Sequence, residues 1–386
     1  MPLITPSSPE DLAHALAEAG SNSQTIAVGG NNSKRSMAGP VASAGVTLST
    51  AKLRRVLQYE PNDLTLGVEA GMPFSHVQKL LATHGQMIAL DPPHSSEATI
   101  GGVVATNSSG PMRRAFGTAR DLVIGMTFAT LDGKLVKTGG MVVKNVAGLD
   151  MGKLMIGSFG TLAVMTSINF RVHALPRETR TFLFSCPDLE TAIERRDSLV
   201  RGVLQPLAID LLSPAAAARL GGRGYLVAVR AGGSRAVLAR YARELDRAEQ
   251  LSGERDVQVW QQIREFSPEF LRRQPGGIVL RVSTSLSGIG DVLRIATGPC
   301  IARAASGVTY LYVTSWQGAA PVWKAATERG WGAAVEYAPD EIRSAKELWF
   351  SPACGPESAG FAMMKKVKHM FDPNAVLNRS RLYARI

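Results

Sequence analysis

The sequence predicts an α+β protein built from two units, residues 1–175 and 176–355, followed by a tail at 356–386. Three observations lead there. The first 175 residues hold many short apolar runs and few helical patterns. Asp132-Gly133 lies between two alternating runs, Leu122–Leu131 and Lys134–Lys137, where it reads as a hairpin turn. Beyond Pro176, strand patterns near 180–185, 207–212, 225–231 and 278–284 alternate with helical ones near 188–202, 234–250, 287–295 and 320–329. That alternation predicts a second, smaller α+β unit, a sheet with helices on one face.

The elements follow from local chemistry. Ser8-Pro9-Glu10-Asp11 offers an N-cap hydroxyl, a proline for the first turn and acids for the positive helix end, so a helix runs from there to about Gly20. Gln24 to Val28 is a short strand that ends in AVGGNNSKR, residues 27–35. Strands follow at Val46–Ser49, Arg55–Tyr59 and Leu64–Glu69. A helix at Pro73–His84 is marked by Phe74, Val77, Leu80 and Leu81 at helical spacing. Leu162–Val172 alternates as a strand, Gly-Gly pairs at 221–222, 232–233 and 276–277 mark turns, and Ala359–Met370 is helical.

Composition narrows the function. The formal charge is +11, yet Lys and Arg are scattered and no block of five like charges occurs, so the excess reads as solvated faces. Aromatic residues make up 6% and none interleave a basic segment for base stacking, which argues against nucleic acid as a partner. Cys186, Cys300 and Cys354 lie far apart, with no CxxC pair, zinc spacing or iron–sulfur run, and reduced thiols in the cytoplasm fit them. MPLITPSSPEDLAHAL has no basic segment leading into an apolar one, and no run reaches the length of a membrane span. The expectation is a cytoplasmic protein that reaches the inner face of the membrane through partners.

Three small-residue stretches carry the chemistry. Gly29-Gly30-Asn31-Asn32-Ser33-Lys34 follows a strand and can offer backbone N–H groups, a hydroxyl and positive charge to an anion. No helical period follows in Ser36–Ser43, which argues against a nicotinamide-type Rossmann site. DPPHSSEATIGGVVATNSSG, residues 91–110, joins a rigid proline turn to a Thr-capped segment on which a flat ligand can lie against main chain. GLDMGKLMIGSFGTLAVMT, residues 148–166, brings Gly157 and Gly160 to the start of a strand. A tight turn or close packing explains any one of these alone; it explains the set poorly.

Taken in order, GGNNSK, DPPHSSEATIGGVVATNSSG, FGTARDLVIG (116–125), DGKLVKTGG (132–140), KNVAGLDMGKLMIGSFGTLAVMT (144–166) and FDPNAVLN (371–378) resemble the FAD-binding domain of the vanillyl-alcohol oxidase/p-cresol methylhydroxylase family of flavoproteins. The resemblance implies a two-part FAD-binding domain at 1–175, a cap domain at 176–355 and a tail, 356–386, that returns to the first. It assigns the FAD pyrophosphate to Gly29, Gly30, Asn31, Asn32, Ser33 and Lys34. Pro92, Pro93, Thr99, Gly101 and Gly102 would line the pyrophosphate and flavin; Ala105, Asn107, Gly110, Gly160 and Val164 would make further contacts, and Asn378 would approach the isoalloxazine. Phe159 stands where the family more often has an acid, Ala163 where it has glycine, and Arg379-Ser380 where Pro-Gly follows the tail asparagine.

Within the family, the short middle domain and the GNNSK-type loop are similar to the FAD-binding subunits of bacterial glycolate oxidases. That implies an FAD-dependent oxidoreductase subunit acting on a small 2-hydroxy acid, alongside a catalytic flavoprotein subunit and an iron–sulfur subunit. The histidines, His14, His76, His84, His94, His173 and His369, leave 174–368 empty of imidazole. Metal-dependent 2-hydroxy-acid dehydrogenases of the family place paired histidines there, so no metal is expected. No histidine stands in the glycine loop, so FAD is expected to be held non-covalently. No catalytic residue is assigned. His94 near the flavin loop can titrate as a base, or be a half-exposed loop residue. Arg113 and Arg114 can face an acid or solvent, and Cys354 reads as a buried thiol. A free-standing dehydrogenase and a non-catalytic scaffold stay open as alternatives.

Overall fold

The computed structural model describes residues 2–40, 44–141, 150–353, 355 and 358–386. The predicted Cys354 thiol, the segment KNVAGL and with it Gly148-Leu149 of the third stretch lie outside these residues. The chain forms two compact units. The first comprises residues up to Ser109, Phe116–Leu175 and the chain from Ala353 onward; the second comprises Gly110–Ala115 and Pro176–Pro352.

The first unit contains two principal sheets. Ser8 accepts a hydrogen bond from the Asp11 amide (3.0 Å) and starts the helix Pro9–Ser21. Leu12, Leu16 and Ala19 from that helix pack against Ile26, Val46 and Leu48. These come from a parallel sheet ordered Leu3–Ile4, Val46–Ser49, Ile26–Gly29. The second sheet is antiparallel, ordered Val56–Glu60, Thr65–Glu69, Val164–Arg171, Val123–Ala129, Leu135–Gly139. The Asp132-Gly133 hairpin joins the last two as expected, and Gly133 takes φ +81°. The core of this part gathers Leu66, Val68, Phe128, Ile168 and Phe170 with Ile100, Val103 and Val104.

The tail closes the first unit. The helix Ala359–Phe371 ends at Asp372, and Leu377 bridges Ile26 in parallel. The Ile26 amide donates to Val376 O and the Asn378 amide to Ile26 O, both at 2.8 Å. Lys368 is buried beneath this crossing, its Nζ donating to Thr161 O (2.7 Å), Leu377 O (3.0 Å) and Asp372 Oδ2 (2.5 Å). Asp372 also accepts from the Val376 and Leu377 amides. Burial pulls the Lys368 pKa down while the Asp372 carboxylate acts against it.

The second unit is one nine-stranded antiparallel sheet. Its order is Glu249–Ser252, Glu178–Cys186, Tyr225–Gly233, Ala208–Leu212, Cys300–Arg303, Val308–Val313, Ile278–Ser283, Gly332–Tyr337, Trp349–Phe350. Helices cover both faces, where one face was expected. Tyr241 of the helix Arg235–Glu244 stacks on Phe182, and Arg195 of Leu189–Arg201 lies over Phe184. From the helices Glu254–Arg264 and Phe266–Arg273, Trp260 donates to Thr181 on the opposite face and Phe266 packs on Tyr312. The helix expected at 234–250 stops at Glu244 because Glu249–Ser252 pairs with Arg180–Leu183 as an edge strand. The helix expected from 320 begins at Trp316 and carries Pro321 inside it. Among the described residues no helix is long and apolar enough to cross a membrane.

Replacing Lys368 by Met should strand the buried Asp372 carboxylate and cost the first unit about 3–5 kcal/mol, read as a fall in its urea midpoint. Lys366→Met on the exposed side of the same helix should cost less than about 0.5 kcal/mol.

Candidate functional site: a groove across the first unit

The strand Ile26–Gly29 delivers the glycine loop to the rim of an open groove of about 750 Å³, solvent-filled mouth included. Asn32 takes a left-handed φ of +55°, and its side chain folds back until a Cβ on Gly29 would lie 2.2 Å from Oδ1. A Cβ on Gly30 would lie 2.5 Å from the Thr99 hydroxyl. Thr99 accepts from the Gly102 amide (3.2 Å) and caps the short helix Ile100–Ala105. Asn31 Nδ2 donates to Glu97 O at 2.9 Å, tying the first stretch to the second. Gly29 is therefore dictated by the fold of its own loop, and Gly30 by close approach between the two stretches.

The third stretch arrives through Asn378. Its Oδ1 accepts the Val28 amide (2.8 Å) and its Nδ2 donates to Phe159 O (2.9 Å). Gly160 has φ +69°, and a Cβ there would sit 2.8 Å from Asn378 Nδ2. Phe159, the departure from the acidic family pattern, is buried with φ +55° and meets the Tyr383 ring edge to face at 5.6 Å. The groove is polar and cationic along Asn31–Lys34 and walled by small apolar groups at Ala105, Ala163 and Val164. Lys34 is buried at 6% exposure. A charged diphosphate and a flat ring both have matching surface here, so the residues present fit FAD.

Of the residues named from sequence, Gly29, Gly30, Asn31, Asn32, Ser33, Lys34, Thr99, Gly101, Gly102, Ala105, Gly160, Val164 and Asn378 line this groove. Pro92, Pro93 and Asn107 do not, and Gly110 belongs to the second unit. His94 sits outside the lining at φ +57°, its carbonyl accepting the Glu97 and Ala98 amides. Arg35, which the loop offers beside Lys34 as its positive charge, also lines the groove, whereas sequence reasoning missed Val28, Thr50, Ala70, Thr106, Phe159, Ala163, Met165 and Arg381 as lining residues. Thr50 and Ala70 are single residues in unremarkable runs, and nothing local marks Arg381 apart from other basic residues of the tail.

A second cluster of polar groups went unseen. On the second unit, cross-strand pairs Asp210↔Arg303, Ile301↔Tyr310 and Arg281↔Tyr310 put Asp210, Arg303, Tyr310 and Arg281 on one sheet face. Glu336 is the extra residue where the pairing shifts between Leu280↔Val335 and Val279↔Tyr337, and the bulge aims it at Arg281 (3.0 Å). Arg303 pairs with Asp210 and lies 5.4 Å from the Tyr310 ring centroid. Burial pushes the Glu336 carboxyl up while Arg281, Arg303 and Arg113 pull it down. Arg114 Nη1 donates to Gln205 Oε1 at 3.5 Å.

Known proteins agree with the groove. Residues 2–139 match the FAD binding domain family. The glycolate oxidase subunit GlcE of Escherichia coli (strain K12) is 31% identical over 385 residues, 97% of this chain and 99% of that one. The mitochondrial cytochrome-type D-lactate dehydrogenase of Arabidopsis thaliana is 31% identical over 168 residues, 44% of this chain but 29% of that one. Among solved structures, 4-ethylphenol oxidase from Gulosibacter chungangensis superposes with a TM-score of 0.75 at 14% identity, covering 99% of this chain and 89% of the other. Residues 2–139 are thus an FAD binding domain, carried on a fold of the vanillyl-alcohol oxidase/p-cresol methylhydroxylase type. More narrowly, the chain belongs to the family of FAD-dependent oxidoreductase subunits that contains glycolate oxidase subunit GlcE.

Gly160→Ala should force a Cβ against Asn378 and leave a left-handed residue, at about 1–2 kcal/mol from the backbone alone. The check is the 450 to 280 nm absorbance ratio of the purified chain, which should fall well below wild type.

Proposed function

We propose that this chain is the FAD-carrying subunit of a glycolate oxidase complex that oxidises small 2-hydroxy acids. Residues Gly29–Lys34 hold the pyrophosphate, and Thr99, Gly101, Gly102, Ala105, Gly160, Val164 and Asn378 line the rest of the cofactor. Bound FAD supplies reversible electron uptake and release. The observation that carries this reading is the likeness to a glycolate oxidase subunit along nearly the whole of both chains, joined to a complete groove. Likeness to the D-lactate dehydrogenase covers less than half of this chain.

The division of labour follows from side chains. No histidine occurs between Ala174 and Lys368, so the second unit has no imidazole to orient or deprotonate a hydroxy acid. Substrate dehydrogenation falls mainly to a partner flavoprotein subunit, with an iron–sulfur subunit taking electrons onward. The assembly works in the cytoplasm, peripheral to the inner face of the membrane through its partners. Among the described residues lining the groove there is no histidine, cysteine or tyrosine to bond the flavin, which supports non-covalent FAD.

A second reading, in which this chain oxidises the acid by itself, is favoured by the Arg281, Arg303, Tyr310 and Glu336 face, with Arg113 near it, as a seat for a carboxylate. Anaerobic spectra separate the two. The purified chain should release its flavin into the supernatant on acid precipitation, and glycolate should leave its 450 nm band unbleached until the partner subunits are added. Rapid bleaching of the chain alone would overturn the subunit reading. Arg281→Met should then raise KM for the acid about tenfold or more, the loss of a charge-assisted contact.

A further inference from the structure

Arg381 stands on the C-terminal tail, only 8% exposed, and is one of the residues that line the groove. Nη1 donates to Arg35 O (2.8 Å), Met37 O (2.5 Å) and Gly39 O (3.0 Å), and Nη2 donates to Lys34 O (2.5 Å). The Gly39 amide returns a bond to Arg381 O at 3.2 Å. A Cβ on Gly39 would lie 2.0 Å from Ser380 O, so the tail and the loop exit are in backbone contact. One side chain thus gathers four carbonyls from the turn that follows Gly29–Ser33. Only a planar fork with several fixed donors does this; an ammonium has three donors and no fork.

The tail does not hold this course by preference. Asn378, Ser380, Tyr383 and Ala384 all take positive φ, between +45° and +66°, which non-glycine residues adopt only when surrounding contacts fix them. Asn378 fixes the loop entry through Val28, and Arg381 fixes the loop exit. The cationic centre also sits 5.9 Å from the Phe159 ring, whose other neighbour is Tyr383.

We propose that Arg381 is a positioning residue for the pyrophosphate loop, and that cofactor binding and the ordering of residues 378–386 are therefore one coupled equilibrium. The inference rests on the groove being the FAD site. Coupling is reciprocal: if the tail sets the loop for FAD, FAD must hold the tail.

The test uses the full-length apo chain. FAD affinity is read by quenching of flavin fluorescence and ADP affinity by calorimetry, ADP serving as a probe with a diphosphate and no flavin ring. Arg381→Met should weaken both by about tenfold or more, the loss of charged hydrogen bonds. Arg381→Lys should recover part of that loss. Lys366→Met, exposed on the helix Ala359–Phe371 and outside residues 378–386, should change neither affinity beyond about twofold, the usual reach of a surface substitution. On the wild-type chain, FAD should slow release of C-terminal residues by a carboxypeptidase, a readout that needs no variant to fold. Unaltered FAD and ADP affinity in Arg381→Met, equal losses in Lys366→Met, or carboxypeptidase release indifferent to FAD would each overturn the proposal alone. A wild-type chain that takes up no FAD would overturn it together with the functional reading.

Discussion

The side-chain amide of Asn378 joins segments 350 and 219 residues away along the chain, and the groove exists because of that junction. One amide has both an acceptor and donors, so a single side chain satisfies an amide on the glycine-loop strand and a carbonyl in the third stretch. Its position is set from below. Ile26 pairs on both sides of Leu377, and the buried Lys368 and Asp372 knit the helix end, the tail and the Thr161 turn into one network. A buried pair of this kind is costly to break from one side, which makes the tail part of the first unit's core.

The sequence made the first unit legible because its signals are local. A capped helix, a strand running into paired glycines and a two-residue hairpin each declare themselves within ten residues. Half of the second unit's sheet did not. Cys300–Arg303 is buried at every position and Gly332–Tyr337 is half small residues, so neither shows the period-two alternation that marks a strand. Glu249–Ser252 reads as the end of a helix until its pairing with Arg180–Leu183 is seen. The site divides along the same line. Gly30 and Thr99 were legible from their own stretches, whereas Thr50, Ala70 and Arg381 reach the groove only through contacts between distant segments.

Glycine illustrates how local logic can reach the right residues by the wrong cause. Gly30 reads as bare backbone for an anion and Gly101 as a flat seat for a ligand, yet a Cβ on either would first strike Thr99 or Ala70. Gly30 lets the first two stretches touch each other and Gly101 lets the second lie on Ala70, and the ligand surface is what those contacts leave open. The same holds where glycine is missing. Asn32 and Phe159 hold left-handed conformations without it, Asn32 with its side chain turned over Gly29 and Phe159 with its ring packed on Tyr383. Strain of this sort gathers at binding sites because their surroundings over-determine the backbone.

The charge of the second unit points the same way. Arg230 with Asp256, Arg303 with Asp210, and Arg281 with Glu336 share one sheet face, and Asp256, Asp210 and Glu336 are at most 12% exposed. Apolar residues of equal volume would hold a sheet at least as well, since desolvating both ions commonly outweighs their attraction. Stability therefore does not account for this face. Asp256 is enclosed, with Thr179, Thr181 and Arg230 all donating to it. Arg281 and Glu336 differ: a bulge exists to bring them together, Arg281 keeps 30% of its side chain in solvent, and Glu336 feels three guanidiniums. An arrangement that is polar, partly open and costly to desolvate is not explained by packing alone.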